Sequence, residues 1–126
     1  MRDAEAVMVD LRTQVRAALL AMESELPFTV RQRWSQEPPE SITIAYSEKE
    51  NRSTECSVVD FISYQVDVWA GERAQVTQLA ALVNGAMLEL GLRRLSRGES
   101  VEQNGMRRCT MVFGRKIDKR WGRFID

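Results

Sequence analysis

VVDFISYQVDVWAGERAQVTQLAALVNGAMLELGLRR, residues 58–94, changes period in its middle. Val58, Ile62, Tyr64, Val66 and Val68 share one parity, and Val59, Phe61, Ser63, Gln65, Asp67 and Trp69 share the other. A period of two places such sets on opposite faces of a strand. The first set predicts the face turned to a core. The second is mixed and predicts a half-exposed surface with apolar ends. Past Gly71 the apolar residues recur as Val76, Leu79, Ala80, Val83, Met87 and Leu90. Steps of three and four give a helix with one apolar stripe. Glu72 in its first turn suits the helix dipole. Gly91 stands just past its end, where a left-handed conformation is cheap only for glycine. The opposite face of this helix carries Ala81, Gly85 and Leu88. Two readings stay open for it: small residues that let another subunit pack closely, or ordinary tolerance of a solvent face.

Working outward, residues 3–23 predict a first helix, with Val7, Leu11, Val15, Ala18 and Met22 as its stripe and Pro27 as its stop. "FTVRQRW", residues 28–34, reads as a short strand with Phe28, Val30 and Trp34 on one parity. The prolines Pro38 and Pro39 make the next residues a connection. "SITIAY" is a second strand, with Ile42, Ile44 and Tyr46 on one face. Ser47 to Glu55 is polar or charged throughout. It is expected to be a solvated loop, over about 47–57, or the exposed tip of a hairpin. Strands near residues 92–102 and 106–117 flank Asn104-Gly105, a strong hairpin signal. In the last strand Cys109, Met111 and Phe113 alternate with Arg108, Thr110 and Val112. Residues 118–126 show no clear period and are expected to form a C-terminal arm. The order α-β-β-β-α-β-β predicts an α+β fold, a mixed or antiparallel sheet packed on one face by two helices.

The chain length of 126 residues is most simply one domain, and 44% hydrophobic with 29% charged residues is enough to build a core. Lys and Arg balance Asp and Glu at 18 each, which argues against a dominant basic surface for nucleic acid. There is no histidine, so the commonest general base and transition-metal ligand is missing. Cys56 and Cys109 are isolated and form no CxxC pair; two reduced thiols in a protein made in the cytoplasm are expected. No apolar run reaches membrane-spanning length, so no membrane partner is expected. Met1-Arg2-Asp3-Ala4-Glu5 carries charges where a signal peptide needs an apolar centre.

Chemistry is mostly absent. Neither a Ser-His-Asp nor a Cys-His set is possible, and no phosphate-binding glycine loop occurs. Asp60 and Asp67 are the candidate carboxylates. Asp67 points away from Val66 and Val68, which predicts an exposed strand carboxylate paired with an arginine. Trp69 is expected at a sheet edge, in a packing or interface role. Cys56 has no activating neighbour nearer in sequence than Arg52. No catalytic, metal or cofactor site is assigned, and no enzyme is expected. The alternative is a small nucleic-acid-binding α+β domain. Lys119-Arg120-Trp121-Gly122-Arg123-Phe124 mixes cations with stacking groups, as single-strand binders do.

Tyr64-Gln65-Val66-Asp67-Val68-Trp69-Ala70, the following helix, and the exit Leu90-Gly91-Leu92-Arg93-Arg94 resemble the small tail completion proteins of long-tailed bacteriophages, also called tail terminator or tail-to-head joining proteins. "ITIAYSEKENRSTE", with Asn51-Arg52, resembles that family's strand and polar loop, and "MRRCTMVFGRKI" its final strand. The likeness covers residues 5–117. Met106-Arg107-Arg108 replaces an aromatic or His-Lys pair found in many relatives, and "DKRWGRFID" has no counterpart. The resemblance implies a ring of copies of the chain, usually a hexamer, located in the virion at the tail-head junction. That ring caps the tail tube protein and meets the head connector or stopper protein. The genome passes through it, and it uses no catalysis and no cofactor. In this setting Arg52, Asp67, Trp69, Ala81, Gly85 and Leu88 are the candidate interface residues.

Overall fold

The computed structural model describes residues 7–32 and 38–125. The elements run α1 (Arg12–Leu20), β1 (Thr29–Gln32), β2 (Thr43–Ser53), β3 (Val59–Ala70), α2 (Arg73–Leu90), β4 (Arg93–Val101), β5 (Arg107–Asp118) and β6 (Arg123–Ile125). The sheet order is β1-β2-β3-β5-β4, with β6 beside β5. β1 runs parallel to β2, and the remaining pairs are antiparallel. The expected α+β class, mixed sheet and element order therefore hold, with one strand added at the C-terminus.

The two-residue period of β3 does what it predicts. Ile62, Tyr64, Val66 and Val68 are fully buried and meet Val76, Leu79, Val83 and Met87 of α2 in one core. Ile44 and Tyr46 extend it along β2, Cys109, Met111 and Phe113 along β5, and Val15 and Leu19 along α1. Cross-strand register explains the match: Ile44 and Cys109 both stand opposite Val68, while Tyr46 and Met111 stand opposite Val66.

α2 starts with a capping box, in which the Glu72 and Gln75 side chains each accept the other residue's backbone N–H. It ends at Gly91, whose φ of 104° is left-handed. A side chain there would also meet the Phe124 ring at 2.6 Å, so both backbone and space require glycine.

Four expectations need correction. The first helix begins at Arg12. Tertiary hydrogen bonds hold the preceding residues off it: the Tyr64 hydroxyl accepts the Leu11 N–H at 2.9 Å, and the Asn51 side chain donates to the Val9 carbonyl at 2.6 Å. (The expected helical residues 3–6, and Trp34 of the first strand, lie outside the described residues.) The polar stretch 47–57 is not a loop over its first half; it is the exposed end of a hairpin, the second of the two readings. Ser47–Ser53 pairs with β3 as far as Ser53 opposite Asp60, with a bulge between Glu48 and Glu50. A polar sequence is compatible with a strand when backbone pairing supplies the ordering and solvent takes the side chains. The Asn104-Gly105 turn is longer than two residues. Gly105 donates its N–H to the Glu102 carbonyl and then takes a φ of 84°, a turn followed by a left-handed glycine. Finally, part of the expected C-terminal arm is β6, which pairs Lys116–Asp118 with Arg123–Ile125.

Candidate subunit interface

The sheet face away from the helices is organised around Asp67. The carboxylate is fully buried. It accepts the Thr110 hydroxyl at 2.7 Å, the Arg108 Nε at 3.2 Å and the Gln65 amide at 3.2 Å. Strand register creates this cluster, because Asp67 pairs with Thr110 on β5 and Trp69 with Arg108. The Arg108 guanidinium also lies 4.8 Å from the centroid of the Trp69 ring. A buried carboxylate is tolerable when a cation and several donors replace its water. The expected arginine partner is thus present, but Asp67 is buried rather than exposed. Trp69 is only 4% exposed and lies on the central strand β3, not at a sheet edge. Both belong to the internal packing of the lone subunit.

Arg52 stands elsewhere. It lies on the outer part of β2 opposite Phe61, 4.9 Å from that ring, and it pairs with Glu50 at 3.0 Å. Asn51, its neighbour, points to the helix side and anchors Val9. One Asn-Arg pair therefore serves two faces, one inward to the N-terminal segment and one outward.

Ala81, Gly85 and Leu88 lie in the helix layer. Ala81 and Gly85 join Ala18, Ala21, Met22 and Leu82 along an open groove of about 620 Å³ between α1 and α2. Leu88 is 48% exposed. The candidate residues therefore occupy three separate places: Asp67 with Trp69, Ala81 with Gly85 and Leu88 on α2, and Arg52 by itself.

The basic C-terminal stretch is largely internally paired. Lys119 reaches Asp60 at 3.4 Å, and both side chains are buried. Arg120 makes a two-pronged contact with Asp118 that holds this carboxylate below its usual range. Arg115 donates to the Gly91 carbonyl at 2.9 Å and stacks on Phe124, 5.4 Å from its centroid. Trp121 alone of the tail's aromatics stands out, at 72% exposed. Cys56 is exposed and Cys109 buried, and both are free. Burial pushes the Cys109 thiol up, against a hydrogen bond from Arg97. Among the described residues, no three His, Cys, Asp or Glu side chains stand together as a metal would need.

Sequence reasoning missed Arg108 and Thr110, although their parity was visible; only the register against β3 shows that they face Asp67. It also gave β4 no role. Every residue of β4 is exposed, and among the described residues no strand covers its second edge.

No family model matches the chain, and no curated protein matches it. Among solved structures it is similar to a chain of the "Virion of native gene transfer agent (GTA) particle", at 18% identity. That match has a TM-score of 0.54 and covers 79% of this chain and 81% of the other. What the two chains share is the fold.

Proposed function

We propose that this protein is a structural subunit of a phage-like virion. It acts by assembly rather than catalysis, forming a ring that terminates the tail tube and joins the tail to the head connector. The observation that carries this reading is the shared fold with a chain of a gene transfer agent virion, over about four-fifths of both chains. The resemblance of Tyr64–Ala70 and Leu90–Arg94 to tail completion proteins supports the finer assignment. In this reading the partners are copies of the chain, the tail tube protein and the head connector or stopper protein. No cofactor or membrane takes part, and the genome only passes through. The ring sits in the virion at the tail-head junction, after synthesis in the bacterial cytoplasm.

The test is electron microscopy of purified tails and of the concentrated protein. A closed ring at the head-proximal end of the tail, absent from tails made without this chain, is the expected result. A protein missing from tails and monomeric at every concentration would sink the reading.

A further inference from the structure

β4 is an edge strand: among the described residues it pairs with β5 alone, and all nine of its residues are exposed. A row of open N–H and C=O groups is a template for another strand. Natural edges are blunted by lysine, proline, bulges or charges that repel a second copy. β4 holds neither lysine nor proline. Its bulge, between Arg94 and Ser96, lies near the start, and Ser96–Val101 pairs with β5 without a break. That regular part reads Ser96-Arg97-Gly98-Glu99-Ser100-Val101. About Gly98 it mirrors itself in size and inverts in charge: Ser96 answers Ser100, and Arg97 answers Glu99.

We infer that β4 pairs with β4 of a second copy, antiparallel, about a two-fold axis through Gly98. In that register Arg97 of each copy stands opposite Glu99 of the other, and Ser96 opposite Ser100. The faces agree. Arg97 and Glu99 stand opposite Met111 and Cys109 of β5, which are core residues, so both lie on the helix side. Ser96, Gly98 and Ser100 stand opposite Val112, Thr110 and Arg108, on the open side. Arg97 and Glu99 already pair within their own strand at 3.1 Å, both half-exposed. Two such pairs brought together alternate in sign around a square. Opposite charges facing each other across antiparallel strands are stabilising, and like charges destabilising. Moving the axis by one residue would set Arg97 on Arg97 or Glu99 on Glu99, so charge fixes the register. Arg93 and Arg94 run past this stretch toward Gln103 and Glu102 of the other copy, not toward another arginine. Leu95 and Val101, 52% and 61% exposed, flank it and lose water as the second strand arrives.

A two-fold contact joins the same patch on both copies and is complete after two. It therefore caps the edge: the dimer has no free β4 left to recruit a further strand. The pairing is independent of the ring proposed above, whose head-to-tail joint uses two different patches. It belongs to the subunit before that subunit meets the tail.

Two full-length single variants test this, Arg97→Glu and Glu99→Arg. Both positions are exposed, and circular dichroism verifies that each variant folds. Wild type should show a reversible monomer–dimer equilibrium by analytical ultracentrifugation. Each variant alone sets like charges at both mirrored positions, so its dissociation constant should rise about tenfold or more. An equimolar mixture should recover dimers, because Arg97→Glu chains then meet Glu99→Arg chains with every charge matched. The double variant Arg97→Glu with Glu99→Arg should recover them with one kind of chain. Hydrogen exchange reads the contact without any variant: the outward-facing amides of residues 96–100 should slow as the wild-type concentration rises. Wild type with no dimer at any concentration would overturn the inference. So would a dimer that both variants leave intact, that neither mixing nor the double swap restores, or whose β4 amides stay fast.

Discussion

β3 and β4 belong to one sheet, separated only by β5, and they live in opposite environments. Ten of the twelve residues of β3 are buried, whereas all nine of β4 are exposed. β3 has a strand on each side and α2 across one face. On its other face Asp67, Thr110 and Arg108 shield one another with polar contacts. β4 has one neighbour and no cover over its outer edge among the described residues. The lesson is a division of labour. Folding free energy is concentrated where a strand loses water on both faces, so β3 and β5 tolerate little change. β4 contributes backbone pairing and little burial, so its side chains carry little of the folding free energy.

The largest break in this contrast should come from Phe113→Ala on β5. Phe113 stands opposite Tyr64 and is fully buried. Loss of a buried aromatic typically costs about 3–5 kcal/mol, so chemical denaturation should show a large drop in stability or an unfolded chain. A loss under about 1 kcal/mol would mean that the core lies elsewhere.

Next in size is Asp67→Ala, which takes from Arg108 its buried anion and leaves only Glu102, 3.9 Å away. Removing one member of a buried pair costs about 3 kcal/mol. The double variant Asp67→Ala with Arg108→Ala should lose less than the two single losses added. Additive losses would show that the two side chains are uncoupled and that the open face is ordinary surface.

Tyr64→Phe is a smaller cut in the same strand. The ring stays in the core, and only the acceptor for the Leu11 N–H disappears. About 1 kcal/mol of stability should be lost, together with slower-exchange protection at Leu11. Unchanged exchange at Leu11 would contradict the tether.

On β4 the expected effect on folding is close to nothing. Val101 is 61% exposed, and Val101→Ser should alter stability by no more than about 0.5 kcal/mol. A larger loss in the monomer would erase the contrast with β3.

The smallest effect concerns pH. Arg12 donates from its side chain and its backbone to Asp10, and holds that carboxyl at about 2 instead of 3.8. A depressed folded value means that the stabilisation is present above pH 3.8 and is lost as pH falls toward about 2. The pair is half exposed, so solvent screens most of this. Arg12→Ala should return the Asp10 carboxyl midpoint, followed by NMR, toward the ordinary range. A wild-type midpoint already there would show that the pair does not form in solution.

Periodicity alone determined much of this protein. The parity of Ile62, Tyr64, Val66 and Val68, the stripe from Val76 to Met87 and the stop at Gly91 each follow from local spacing and glycine's backbone freedom, and each stands where the sequence put it. Expectations failed where a long-range pairing overrode local character. Ser47–Ser53 looks like loop because its side chains want water, yet β3 supplies backbone partners that no local pattern encodes. Val9–Leu11 fits a helical stripe, but Asn51 and Tyr64 hold it in another shape. Asp67 looked exposed because alternation gives the face of a residue but not what crosses that face. Which edge of the sheet remains open is likewise invisible in composition, since it depends on the order of strands distant in sequence. Spacing along a chain fixes which side of an element is apolar; only register between elements decides which polar groups meet, and therefore which are hidden and which are left for a partner.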